Sequence, residues 1–199
     1  MRDAAAQIST KDAILDATDR LLARYGYKKM TIDDLAAEVG IGKGSVYLHF
    51  ASKQEIALSH IDRIIERLNI RLTAIAGRKI SPEERLKAML CERVLFRFDS
   101  VQHYTQSLND LLGSIRPHLL ERRKNYFEAE AAIFASVIDE GKRAGVFAKN
   151  NSLEAAHTML LATNGLLPYS LSTQELGARG EIETKVKQIA ALLVKGLGQ

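Results

Sequence analysis

Thr31–Lys53 reads TIDDLAAEVGIGKGSVYLHFASK, and the spacing inside this stretch decides the fold. Thr31 followed by Asp34 is a capping box with Asp in the place of Glu, so the backbone N–H groups that open a helix find side-chain acceptors. Leu35, Ala36 and Val39 then form an apolar ridge, in which the small Ala36 lets a second helix pack close. Gly40 is able to adopt the left-handed conformation that ends a helix cheaply. Beyond the turn, Ile41 and Val46 are spaced to point back at the ridge. That leaves Lys43, Gly44, Ser45, Tyr47 and His49 facing outward. Two short helices meeting at a glycine in this way are a helix-turn-helix.

The outward face of small residues, hydroxyls and amines suits the DNA major groove, which admits a helix while flanking donors hold phosphates. Thr31, Leu35-Ala36, Gly40, Gly44, Val46-Tyr47, His49-Phe50 and Ser52-Lys53 together resemble the DNA-binding signature of the tetracycline-repressor (TetR) family of transcriptional regulators. The resemblance covers about a quarter of the chain and needs several fixed spacings to coincide. It implies a homodimer on a palindromic operator in double-stranded DNA, released by a small apolar or amphipathic ligand. A regulator without such an effector, controlled by abundance or by a protein partner, is the alternative. Carried onto this chain, Lys43, Ser45 and Tyr47 reach bases or nearby backbone, Thr31, His49 and Lys53 hold phosphates, and Gly42 and Gly44 complete the set. Such proteins commonly carry a hydroxyl residue where this chain has Gly42, so one side-chain cap is missing.

Outward from the motif, Ile14, Ala17 and Leu21 with Leu15, Thr18 and Leu22 predict a preceding helix from Thr10 that stops at Gly26. Met1 to Ser9 reads as a frayed arm, with Arg2 weighed as a minor-groove contact against a solvated tail. On the other side, Ser52-Lys53-Gln54-Glu55 is a second capping box opening a helix to Ala76, about 36 Å long at 1.5 Å per residue. Ser81-Pro82-Glu83-Glu84 opens the next, carrying Leu86, Met89, Leu90, Val94, Leu95 and Phe98. Pro117 is expected to open the longest helix, which Gly141 and Gly145 end, followed by helices from Leu153 to about 171 and from about 181 to Leu197. The expected architecture is all-α, about nine helices: a three-helix DNA-binding domain over 1–52 and a helical effector-binding and dimerisation domain over 53–199.

Within that second domain the polar run His103 to Asn109 favours a cavity, and Phe96, His103, Tyr104, Phe127, Phe134, Met159 and Asn164 are its candidate lining. The last two helices have apolar surfaces too wide for one contact. Leu160, Thr163, Leu167, Ile189 and Leu193 are therefore expected at a dimer interface.

Composition excludes other classes. The 199 residues are 46% hydrophobic and 26% charged with three prolines, a globular balance. No signal-like run or membrane-length span is visible, and a lone Cys91 leaves no intramolecular disulfide, so the cytoplasm and no membrane partner are expected. The net charge of +4 does not locate the DNA face, because residues 1–60 hold as many acids as bases. No phosphate-loop, nucleophile-elbow or zinc-protease motif occurs, so no enzyme and no cofactor or metal is expected. Glu154 with His157, Glu128 with Glu130, and Asp139 with Glu140 read as solvated charge.

Overall fold

The computed structural model describes residues 9–104, 108–168 and 177–198. Among the described residues there are eight α-helices and no strand: α1 Thr10–Lys29, α2 Ile32–Val39, α3 Lys43–His49, α4 Lys53–Ala76, α5 Pro82–Val101, α6 Leu108–Arg143, α7 Ser152–Thr163 and α8 Arg179–Lys195. Short 3-10 turns follow α5 (Gln102–Tyr104) and α7 (Asn164–Leu166). None of these helices is long and apolar enough to cross a membrane. The arm from Met1 to Ile8, with Arg2, lies outside the described residues, as does part of the polar run after Tyr104.

Two compact units divide the chain, one holding residues up to Arg63 together with the start of α6 to His118, the other holding the rest. The sequence puts the boundary at 52/53; the division falls instead inside α4 and α6. The reason is visible at the start of α4. Ile56 is fully buried, the Arg63 guanidinium reaches Asp16 at 2.8 Å and donates to the Asp12 carbonyl, and His60 lies 3.5 Å from Asp19. These bonds make the first turns of α4 a fourth helix of the first unit.

In that unit α1 packs on α2 and α2 on α3. Ile14, Leu21, Met30, Leu35, Val46 and Phe50 are all nearly or wholly buried, and truncating a leucine in such a core costs roughly 2–5 kcal/mol. The expected capping box is present: Asp34 N–H donates to Thr31 Oγ1 at 3.1 Å, while Thr31 N–H donates to Asp34 Oδ2 at 2.9 Å. Gly40 takes φ 75° and ψ 35°, the left-handed cap the motif requires. Gly26, also at φ 75°, kinks α1 rather than ending it, and the chain closes one more turn to Lys29.

Pro117 lies inside α6 rather than at its start. Proline removes one backbone donor and crowds the carbonyl four residues back, but Leu111 and Ile115, both nearly buried, hold the preceding turns in the first unit. Packing overrides the local preference. α7 also stops earlier than expected, at Thr163, because Pro168 forces Leu167 into an extended conformation (φ −96°, ψ 141°).

The second unit is built around Leu68, Leu72, Leu86, Met89, Leu90, Phe134, Ile138, Met159, Leu160, Ala190 and Val194, with Val94, Phe98, Leu167, Ile182 and Val186 forming a neighbouring cluster. Gly141 is needed because a Cβ there would enter the Phe147 ring. Glu130 overturns one expectation: it is 1% exposed, not solvated. Its carboxylate accepts from Arg93 Nε at 2.7 Å and from both terminal nitrogens of Arg97. Burial pushes this carboxyl upward, but Arg97 and Arg93 outweigh that and hold it below the usual carboxylate range. Arg93 is spent further on the Leu160 carbonyl, Thr163 Oγ1 and Asn164 Oδ1. A buried charge held this way specifies how α5, α6 and α7 meet, because leaving one partner unpaired costs roughly 3–5 kcal/mol.

Candidate nucleic-acid interface

α3 is seven residues long and cannot stand alone; its register is set by what it buries. Val46 and Phe50 are inside, and Ser45 is half-buried rather than outward. The exposed face is therefore Lys43, Gly44, Tyr47, Leu48 and His49. Leu48 was not anticipated from the motif, yet at 85% it is the most exposed large apolar side chain among the described residues. The signal that would have found it is its position one turn after Gly44, on the side opposite Val46. Gly42 caps α3 with φ −72° and no side-chain bond, and a Cβ at Gly42 or at Gly44 would meet nothing within 4 Å.

The cations around the motif are mostly engaged. Lys43 Nζ donates to Asp33 Oδ2 at 2.9 Å, and that bond raises its pKa. Both side chains are more than half exposed, so solvent screens the pair and it is readily exchanged for a phosphate. Arg20 and Arg24 face Glu38 at 2.8 and 4.0 Å, and Lys28 pairs with Asp110 at 2.7 Å. Lys53 is half-buried. Its ammonium donates to the Met30 carbonyl at 2.9 Å and the Lys28 carbonyl at 3.3 Å, and sits 4.5 Å from the Tyr27 ring centre. Burial lowers its pKa. The Thr31 hydroxyl likewise donates to Asp34 within the capping box. Thr31 and Lys53, expected on phosphates, make these bonds within the unit from its exposed and half-buried surface, and Lys43, Tyr47 and His49 share its open face.

The other expected residues all belong to the second unit. Phe134 and Met159 sit together in its core, with Phe96 and Phe127 packed at the edge. Tyr104 is buried, His103 is exposed and Asn164 is held by Arg93. Phe127 stacks on His157, whose Nε2 lies 3.1 Å from Glu128. No cluster of three metal-ligating side chains occurs among the described residues. Of the five residues expected at a dimer surface, Leu160, Thr163 and Leu167 are fully buried in the protomer itself, and Ile189 and Leu193 are half-buried. Periodicity reveals two seams on a helix but not which one faces inward. On α7 and α8 the large apolar side chains left outside are Leu153, Leu161 and Leu192; Ile70, Ile80 and Leu120 are exposed elsewhere in the unit.

Residues 14–59 match the model of the bacterial regulatory proteins, tetR family. Through this stretch the chain is similar to the DNA-binding domain of the TetR family. An uncharacterized HTH-type transcriptional regulator in the lacX 3' region of Lactococcus lactis is 39% identical over 83 residues, 41% of this chain and 42% of that protein. The HTH-type transcriptional repressor BepR of Brucella suis is 26% identical over 170 residues, 82% of this chain and 81% of its own length. A crystal structure of a transcriptional regulator from Cytophaga hutchinsonii shares the fold, with a TM-score of 0.77 at 21% identity over 94% of this chain and 97% of that one. These likenesses are to DNA-binding transcriptional regulators. The family match ends at residue 59, four residues short of where the first compact unit leaves α4.

Proposed function

We propose that this regulator is a repressor that holds a near-palindromic operator as a homodimer and leaves it when a small apolar or amphipathic molecule binds the second unit. The observation that carries the DNA half is the open face of α3 behind a locked turn: Val46 fully buried, Gly40 left-handed, and Lys43, Tyr47 and His49 outward. Gly42, Gly44 and Ser45 line the same helix and belong to the contact set. BepR, alike over most of both chains, is a repressor by name. Symmetry of the protein implies symmetry of the site, with half-sites about one helical turn, 34–36 Å, apart.

Homodimerisation is supported by Leu153, Leu161 and Leu192, exposed on α7 and α8, two helices that contact each other. Ile189 and Leu193 border that surface. The effector half rests on Phe96 and Phe127 at the edge of the core, with Tyr104, His103 and Asn164 as further candidates in the same unit. A ligand that favours one conformation of the second unit shifts operator affinity by its differential binding, typically about 1–3 kcal/mol. The full burial of Phe134 and the near-full burial of Met159 favour the alternative, a regulator without a small-molecule effector.

Selection of bound fragments from random DNA tests the reading. The expected product is a near-palindrome bound by two protomers; a monomer with no sequence preference at physiological salt overturns it. Ligand screening on the recovered operator separates the two forms of control, since an effector must both raise the melting temperature and release the DNA.

A further inference from the structure

The open face of α3 is poor in the groups that usually read bases. It carries no Arg, Asn or Gln, so the bidentate contacts to guanine and adenine edges are unavailable from this helix. Lys43 has its ammonium on Asp33, and Tyr47 offers one hydroxyl. What dominates the face is hydrocarbon. Leu48 is 85% exposed beside Tyr47 at 49%, and nothing among the described residues covers it. One turn earlier stands Gly44, where a Cβ would meet nothing within 4 Å and the backbone does not require a positive φ. Neither sterics nor conformation inside the protein asks for glycine there. A glycine weakens a helix relative to alanine, and its remaining use is to let another molecule approach the backbone closely.

The major groove displays one apolar group, the thymine C5 methyl. We propose that Leu48 reads thymine methyls in the operator half-site and that Gly44 is the flat spot that lets α3 come close enough for it to do so. This rests on the DNA-binding reading above. The occupant is argued from continuity: Leu48 lies on the recognition helix, inside the matched domain, between Lys43 and His49. It adds a way of choosing bases to a helix that otherwise contacts DNA through a lysine, a histidine and a phenol.

The test uses the full-length protein and the operator recovered by selection. Each thymine of the half-site is replaced in turn by deoxyuridine, which keeps the base pair and removes only the methyl. For the wild type, one or two positions are expected to lose roughly fourfold in affinity per methyl, the factor that follows from burying one carbon group. Leu48→Ala is expected to bind the unmodified operator more weakly and to lose the thymine preference at those same positions. Gly44→Ala is expected to keep or raise the melting temperature while losing affinity. Equal binding of thymine and deoxyuridine at every position by the wild type overturns the proposal, as does a Leu48→Ala protein that still discriminates. Loss of self-association in Leu48→Ala with DNA binding unchanged also overturns it, assigning the leucine to a second copy of the chain. Absence of any selected DNA is a different failure, that of the DNA-binding reading itself.

Discussion

The ammonium of Lys53 stands among the carbonyls of Lys28 and Met30 and the ring of Tyr27. Carbonyls at a helix C-terminus carry partial negative charge, and a cation placed there stabilises the end of the helix. Lys53 therefore fastens the end of α1 to the start of α4. The two outcomes of Lys53→Ala differ in kind. A lysine on a phosphate contributes about one unit to the slope of log affinity against log salt, so its removal lowers that slope by about 1. A lysine that holds α1 leaves the slope unchanged and weakens all DNA sites alike, with a lower melting temperature. The second outcome is expected, and titrating affinity against salt for both proteins checks it; a slope reduced by one unit returns Lys53 to the interface. The motif disclosed this lysine but not its partners, because they lie 23 and 25 residues earlier in the chain. Glu130 escaped notice for a related reason. It sits three residues after Phe127 and four before Phe134, on the apolar stripe of α6, but the arginines that neutralise it are on α5.

Local signals read well where a helix carries its own punctuation. The boxes at Thr31 and Ser81 and the left-handed Gly40 place the ends of α2 and the start of α5 without help from the rest of the fold. Elements whose limits depend on packing were less legible, as Pro117 inside α6 and the early stop of α7 show. The α2 box also sets a pH dependence. The Thr31 hydroxyl and N–H donate to the Asp34 carboxylate and hold its pKa below the ordinary value. A carboxylate with a depressed folded pKa contributes stability that is fully present above its unfolded pKa and is lost as pH falls through the folded one. Asp34→Ala is thus expected to lower the melting temperature at neutral pH, with the gap to wild type closing as the pH drops below the carboxylate range. Thermal melts of both proteins across that range measure it. A gap independent of pH would mean that the carboxylate charge has no part in the cap.

At the scale of the whole molecule, the proposed homodimer has exposed apolar surface on α7 and α8 through which two copies can meet. Leu161 is 60% and Leu192 72% exposed, on α7 and α8 of the second unit, while the competing seam of Leu160, Thr163 and Leu167 is filled by the protomer's own core. Full burial of a leucine is worth roughly 1.5–3 kcal/mol, so a twofold interface that covers both residues on both protomers gains substantially from four side chains. Glutamate at these positions replaces that gain with buried like charges across the axis. The double variant Leu161→Glu with Leu192→Glu is expected to keep its helix content, because neither side chain supports the protomer, and to sediment as a monomer. Two half-sites held by one dimer act at an effective concentration that typically multiplies affinity by about 10²–10⁴. The monomer should therefore bind an isolated half-site as the wild-type protomer does and lose a factor of that order on the full palindrome. Sedimentation and operator titration together decide the matter. A variant that still sediments as a dimer moves the interface elsewhere on the second unit, and one that is monomeric yet binds the palindrome undiminished separates DNA recognition from dimerisation altogether.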